Sequence, residues 1–296
     1  MKRQLLTNLL LLIVILLAFW ALRVAMQGPS YNTLADVTGK HTVSSIIIRR
    51  PDSPPVGLIE KSGQWHMQQP RPARASDHRA ALILNLLSSP VYSEFYPFDS
   101  SGLQAFGLAQ PRLTLQLDDA LLLFGDTESL SGRRYVMHKG VIYLIDDDIS
   151  PLLQAAAGSF VEPRILPEGA QLQRMTLPML NEGQPDPRQT ISLIQQQGSW
   201  RSDIKNPSFS SDDLVQLIQN WSNAYAMQVA IMLDNAVPEN AVPVRIWLRH
   251  EDQPVVLWVE VSANGLLISH PEAGLRYLFP SGMLQQLFLQ GSSTDA

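Results

Sequence analysis

The feature that most constrains this chain is that it repeats itself. VSSIIIRR (Val43 to Arg50) is followed by a Pro-rich turn, by VGLIEKSGQWHMQQP (Val56 to Pro70) and by a helix opened at Ser76. Later, LQRMTLPM (Leu172 to Met179) leads to a second Pro-rich turn, to TISLIQQQGSWRSDIKNP (Thr190 to Pro207) and to a helix opened near Ser210. Gly63-Gln64-Trp65 aligns with Gly198-Ser199-Trp200 at an offset of 135, as does Ser76-Asp77 with Ser211-Asp212. Downstream, Gly140, Tyr143, Ile149 and Leu153 match Gly274, Tyr277, Met283 and Leu287 at an offset of 134. A shift held to within one residue over so long a span implies one supersecondary unit built twice.

Period and punctuation give the content of each unit. The run Ile46-Ile47-Ile48 and the segment around Leu58-Ile59 read as strands joined across Pro51, Pro54 and Pro55, with Trp65 closing the second strand. Leu214, Leu217, Ile218, Trp221, Ala224 and Tyr225 form the stripe of a helix packed on one face, and Ser210 with Asp213 supplies a capping box. Ala81, Leu82 and Leu84 to Leu87 predict a more uniformly apolar helix, buried on more than one side between the units. The runs LTLQL, ALLLFG, RYVMH and VIYLID follow in the first unit, and VRIWLRH, VVLWVEV, GLLISH and LRYLF in the second. Turn chemistry at Asp118-Asp119, Glu251-Asp252 and Ala263-Asn264-Gly265 makes the sheets mostly antiparallel. A short helix ends each unit, with Ser150 as N-cap and Pro151 at N1 in the first. The expected fold is α+β: an N-terminal transmembrane helix, then two duplicated units, each a mostly antiparallel sheet with one main helix and a short terminal helix.

From Leu5 to Met26 the chain is apolar enough to span a bilayer, rising about 33 Å as a helix against a hydrocarbon core of about 30 Å. Lys2 and Arg3 precede the span, so the N-terminus stays in the cytoplasm and the body is delivered across a bacterial inner membrane to the periplasm. A cleaved signal peptide is the competing reading. Trp20 and Arg23 stand where its small-residue cleavage site belongs, which favours an uncleaved anchor. The expected organisation is residues 1–26 as cytoplasmic tip and anchor, 27–42 as polar tether, 43–160 and 161–290 as the two units, and 291–296 as a disordered tail. The break between units falls in Gly158 to Ala170, where Pro163, Pro167 and Gly169 interrupt the pattern.

Composition then narrows function. Beyond residue 26 the chain holds 19 basic and 27 acidic residues, a balance of -8, which repels phosphate backbones and argues against nucleic-acid binding. The absence of cysteine removes disulfides, thiolate metal sites and cysteine nucleophiles. Asp146-Asp147-Asp148 is the densest acidic cluster, but adjacent carboxylates diverge, and the reading is a solvated turn favouring the next helix N-terminus. His41, His66, His78, His138, His250 and His270 show no metal-ligand spacing, and neither G-x-S-x-G nor a P-loop occurs. Glu60 and Glu94 are carboxylates whose separation decides any glycosidase-like pairing. Trp65, Trp200 and Trp221 sit where a core needs bulk. No catalytic, cofactor-binding or metal-binding residue is assigned, and no cofactor is expected.

An opening strand ending in arginine (IIIRR), GQWHMQQP, the helix entry Ala75-Ser76-Asp77, Phe106-Gly107-Leu108 before Pro111, and Leu123-Phe124-Gly125 followed by Arg134-Tyr135-Val136 together resemble a family. That family comprises bacterial membrane-anchored domains of unknown function often encoded beside ABC-type transporter permeases, some of the gliding-motility type. The resemblance covers roughly residues 43–290, best in the first unit, and brings no catalytic residues. In the second unit the Phe-Gly-Leu element is replaced by Val237-Pro238-Glu239-Asn240-Ala241-Val242-Pro243. The resemblance implies an accessory role, with an inner-membrane transporter or other envelope proteins as partners. The alternative is a periplasmic ligand-binding protein or hydrolase acting on a cell-wall or exported substrate in a cleft between the units.

Overall fold

The computed structural model describes residues 10–20, 31–97, 100–205 and 207–291. Residues 10–20 form a helix, α1, whose large apolar side chains are all exposed. Among the described residues no helix is long and apolar enough to cross a membrane. The expected span, residues 5–26, runs past α1 at both ends into residues outside those described.

The first unit is a nine-stranded antiparallel sheet. Its strands are β1 (Ser45–Arg50), β2 (Ser53–Lys61), β3 (Gln64–Gln69), β4 (Ala73–Arg74), β5 (Val91–Phe95), β6 (Leu113–Leu117), β7 (Ala120–Thr127), β8 (Arg134–His138) and β9 (Val141–Ile145). They lie in the order β4-β3-β2-β1-β6-β7-β8-β9-β5. The second unit has eight: β10 (Leu172–Asn181), β11 (Gln184–Gln196), β12 (Ser199–Ser202), β13 (Gln228–Ile231), β14 (Val242–Leu248), β15 (Val255–Ser262), β16 (Gly265–His270) and β17 (Leu275–Phe279). Their order, β12-β11-β10-β14-β15-β16-β17-β13, reproduces the first sheet strand for strand apart from β4.

Helices occupy the same places in both units. After α2 (Leu34–Thr38), the helix α3 (Asp77–Asn85) leads towards the edge strand β5, as α6 (Ser211–Ser222) leads to β13. The short α4 (Ser100–Ala105) belongs to the first unit alone, whereas α5 (Ser150–Leu153) and α7 (Met283–Leu287) close their respective units. Helix α6 has the expected cap, in which Ser210 and Asp213 bond reciprocally. It buries Leu214, Leu217, Ile218 and Trp221, each contributing roughly 1.5–3 kcal/mol through its apolar area. Trp221 is fully buried, and its Nε1–H donates to the Leu287 carbonyl at 2.7 Å, tying α6 to the end of α7.

Four expectations are corrected by the backbone. Trp65 does not close β2: the chain reverses at Ser62-Gly63 (φ 53° and 80°), and Trp65 lies in β3. Gln197-Gly198 makes the same reversal before β12 and Trp200 (φ 50° and 81°). Two consecutive positive φ values match the strand twist, which is why glycine recurs there. The caps of α3 and α6 are Ser76 and Ser210, so the helix entries are offset by 134 and Ser211 is the first residue of its helix. Helix α3 buries Ala80 and Ile83 on one side and leaves Ala81 exposed, because only one face meets the sheet. Finally, Ile149 is the N-cap of α5, Ser150 opens that helix, and Asp147 accepts from the Ser150 N–H at 3.0 Å.

The stretch expected to be a polar tether, residues 27–42, contains packed structure where it is described. Leu34 is fully buried, its N–H bonds the Ser89 carbonyl at 2.9 Å, and Val91 bonds Asn32 at 2.8 Å. Leu34 is part of the core and Ala35 and Val37 pack against it, which with these bonds holds α2 on the first unit.

The segment between the sheets stitches them together. Ser76 N–H donates to Phe160 and Glu162 N–H to Arg74, both at 2.8 Å, while Ala226 N–H donates to Pro163 at 3.0 Å. A Cβ on Gly158 would stand 2.0 Å from the Val229 carbonyl oxygen, so only glycine permits the linker to lie against β13. The buried apolar residues form one cluster that runs from the first sheet through Phe160, Val161, Ile165 and Leu166 into the second.

Candidate functional site: an arginine-lined cleft in the first unit

A cavity of about 1030 Å³ opens at one end of the first sheet. Arg50 at the end of β1, Arg112 just before β6 and Arg134 at the start of β8 line it. Sheet order brings them together, since β1, β6, β7 and β8 are neighbours.

The cleft is shaped by a close backbone contact. The loop Phe106-Gly107-Leu108 lies on β7, with the Phe106 carbonyl accepting the Asp126 N–H at 2.8 Å. A Cβ on Gly125 would come within 2.2 Å of that carbonyl oxygen, and one on Gly107 (φ 68°) within 2.4 Å of the Asp126 carboxyl carbon. The Phe-Gly-Leu and Leu-Phe-Gly marks are therefore the two sides of one contact. Phe106 then packs edge-on against Tyr135 at 4.8 Å between centroids, with Phe95 at 5.4 Å from Phe106.

The three guanidinium groups differ in how their charge is met. Arg134 is paired: Nε donates to Asp147 Oδ2 at 2.7 Å, Nη2 lies 2.6 Å from the same oxygen, and Nη1 donates to the Gly125 carbonyl at 2.9 Å. Arg50 donates through Nη1 to the Ala155 carbonyl, while its Nε is buried with no acceptor. Burial pushes the Arg50 guanidinium below its ordinary pKa, and no carboxylate offsets that shift. Arg112 is exposed and has no partner among the described residues. Neither Arg50 nor Arg112 forms an ion pair with a described residue, although Asp52 and Asp126 line the same cleft.

The second unit is built without them. Strand pairing makes Ile48 equivalent to Leu177, so Arg50 corresponds to Met179. Leu113 and Val242 are equivalent through β6–β7 and β14–β15, so Arg112 corresponds to Ala241. Val136 and Ile268 are equivalent, so Arg134 corresponds to Leu266, which is fully buried. The same topology closes with apolar residues at all three places, so the arginines are not a requirement of the fold.

The remaining candidate groups do not converge. Among the described residues no group of three or more potential ligands is placed to hold a metal ion. Asp146 takes Arg133 (3.1 Å) and the Tyr92 hydroxyl (2.7 Å), Asp147 takes Arg134, and Asp148 is exposed, so the acidic triplet splays to separate partners. Glu60 on β2 and Glu94 on β5 are six strands apart, roughly 29 Å at ~4.8 Å per strand, too far for a paired-carboxylate mechanism. Of the histidines, His138 is buried, with Nδ1 at 3.0 Å from the Leu121 carbonyl and Nε2 without a partner, and His270 occupies the equivalent end of β16. Trp65, Trp200 and Trp221 are buried in the core as expected, and Arg174 stacks over Trp247 at 4.7 Å.

The seam between the units holds two smaller cavities, about 310 and about 260 Å³. In the first, Arg74 is already paired with Asp77, which also accepts the Trp65 N–H at 2.8 Å. Burial pushes the Asp77 carboxyl up, and these two donors outweigh it, leaving the group below its ordinary value. Burial, helped by Glu162, pushes the neighbouring Tyr277 hydroxyl up to about 12. Arg74 and Asp77 thus satisfy each other in this cavity.

Compared with known proteins, no curated protein and no solved structure matches the chain. Residues 65–230 match a family described as a domain of unknown function, DUF4340. That stretch runs from Trp65 in β3 through Arg112 and Arg134, across the seam, to β13, and on this match over more than half of its length the chain belongs to the DUF4340 family.

Proposed function

We propose that the chain is a non-enzymatic accessory module of a bacterial envelope complex such as a transporter, anchored in the inner membrane through residues 5–26 and docking its partner in the periplasm through the arginine cleft. One observation carries the reading: Arg50 and Arg112 stand in a large cleft with no ion pair to a described residue, where the duplicated unit has Met179 and Ala241. A partly buried, unpaired cation destabilises the protein that carries it, and is retained where something else neutralises it. The anchor restricts the module to two dimensions, raising its effective concentration against a membrane partner even when the contact is weak.

The test is site-specific photocrosslinking of the full chain in its own membrane. A photoreactive residue at exposed Gln104, in the cleft lining, should yield a discrete adduct that disappears when Arg112→Ala is added. The same probe at Asn264, in the β15–β16 turn of the second unit, should not yield that adduct. Identical patterns from the two positions, or no adduct from Gln104, would overturn the proposal.

A further inference from the structure

We infer that the occupant of the cleft is an acidic peptide segment of the partner, held by its carboxylates at Arg50 and Arg112 and by its main chain at the surrounding polar side chains. This rests on the reading of the cleft as a docking surface. The two unmatched guanidinium groups call for anions, and the forked geometry of arginine fits carboxylates in bidentate contact.

What separates a peptide from a small anion is the rest of the lining. Gln104, Gln110 and Gln154 line the cleft, and their side-chain amides have no hydrogen bond to any described residue. Each offers a donor and an acceptor, which a peptide backbone satisfies in both senses. Asp52 and Asp126 also face the cleft, without partners among the described residues, and carboxylates there take N–H donors. Inorganic phosphate has no N–H group to offer these two carboxylates, whereas a peptide main chain does. At about 1030 Å³ the cavity also stands at or above the usual range for a small-molecule pocket, about 300–1000 Å³, and accommodates several residues of extended chain.

The experiment uses the full chain in detergent micelles and a fluorescein-labelled peptide of alternating Glu and Ser, with its Gln-Ser counterpart as control. Fluorescence anisotropy should show saturable binding of the Glu peptide, weakened by added salt, and binding of the Gln peptide at least tenfold weaker. Arg112→Gln, an exposed position whose replacement does not threaten the core, should weaken binding by roughly tenfold, the usual loss of one charge-assisted contact. Arg174→Gln, in the second unit, should leave it unchanged. Inorganic phosphate at matched ionic strength should not compete. Equal binding of the two peptides, no binding of either, or displacement by phosphate alone would overturn the inference. In any of those cases a Gln104 crosslink that still depends on Arg112 would leave the docking surface standing with a different occupant.

Discussion

Arg134 and Asp147 are joined through one carboxylate oxygen, at 2.7 Å from Nε and 2.6 Å from Nη2, and both partners are replaced together in the second unit, by Leu266 and Ser281. Asp147 also accepts from the N–H of Ser150, the first residue of α5, through Oδ1. The pair therefore fixes one wall of the cleft to the start of a helix, and it has a natural apolar counterpart within the same chain.

Removing one member leaves the other partly buried and unpaired. Arg134→Leu should cost about 2 kcal/mol, below the ~3–5 kcal/mol of a fully buried pair because Arg134 keeps 21% of its side chain exposed. Arg134→Leu combined with Asp147→Ser should recover at least half of that loss. Urea denaturation of the four proteins gives the coupling directly, and additive losses would show that the two residues do not act as a pair.

Gly125→Ala forces a Cβ to 2.2 Å from the Phe106 oxygen, so the 106–108 loop must lift from β7. We expect a loss of about 2–3 kcal/mol and faster proteolysis near Leu108. Gly63→Ala meets open space and pays only for its positive φ, about 1 kcal/mol. Limited proteolysis compares the two, and equal susceptibility of the loop would contradict the close-contact account.

Trp221→Phe keeps most of the apolar volume and deletes the bond to the Leu287 carbonyl. The stranded acceptor predicts a loss of about 2 kcal/mol, against about 3–5 kcal/mol for Trp221→Ala. Chemical denaturation monitored by circular dichroism measures both, and a Phe variant as stable as the parent would remove the bond from the account.

Burial pushes His270 below its ordinary value of 6.5, with Glu272 opposing in part. The unfolded chain therefore takes up this proton first. Stability from the neutral ring is fully present above pH 6.5 and is lost as pH falls from there through the lower folded value. His270→Gln should flatten the stability curve across that window, as read by thermal melts at a series of pH values. An unchanged slope would place the pH dependence elsewhere.

Much of the fold was legible because local signals and tertiary demands agree. The Ser210–Asp213 box, the Leu214–Trp221 stripe and the runs that became β6 to β9 and β14 to β17 each state their period within a few residues. The two-residue reversals were hidden because Ser62 and Gln197, not Asn or Asp, take the first positive-φ position. The edge strands β5 and β13 are short and follow helices, so nothing local marks them. Leu34 looked like part of a tether because one apolar residue in a polar stretch carries no period. The cleft was spelled out in pieces: Arg50, Phe106-Gly107, Gly125 and Arg134 were each visible as separate marks. Their convergence depends on β6 pairing with β1 across a long connection, which only the sheet order reveals.

The central claim is that the first unit keeps unpaired arginines for docking and not for folding. The most direct measurement replaces them by what the second unit uses, Arg50→Met with Arg112→Ala in the full chain, and follows both the melting temperature and the Gln104 crosslink. The account predicts a melting temperature unchanged or raised, because a partly buried cation is removed, together with loss of the crosslink. A lowered melting temperature with the crosslink intact would contradict it.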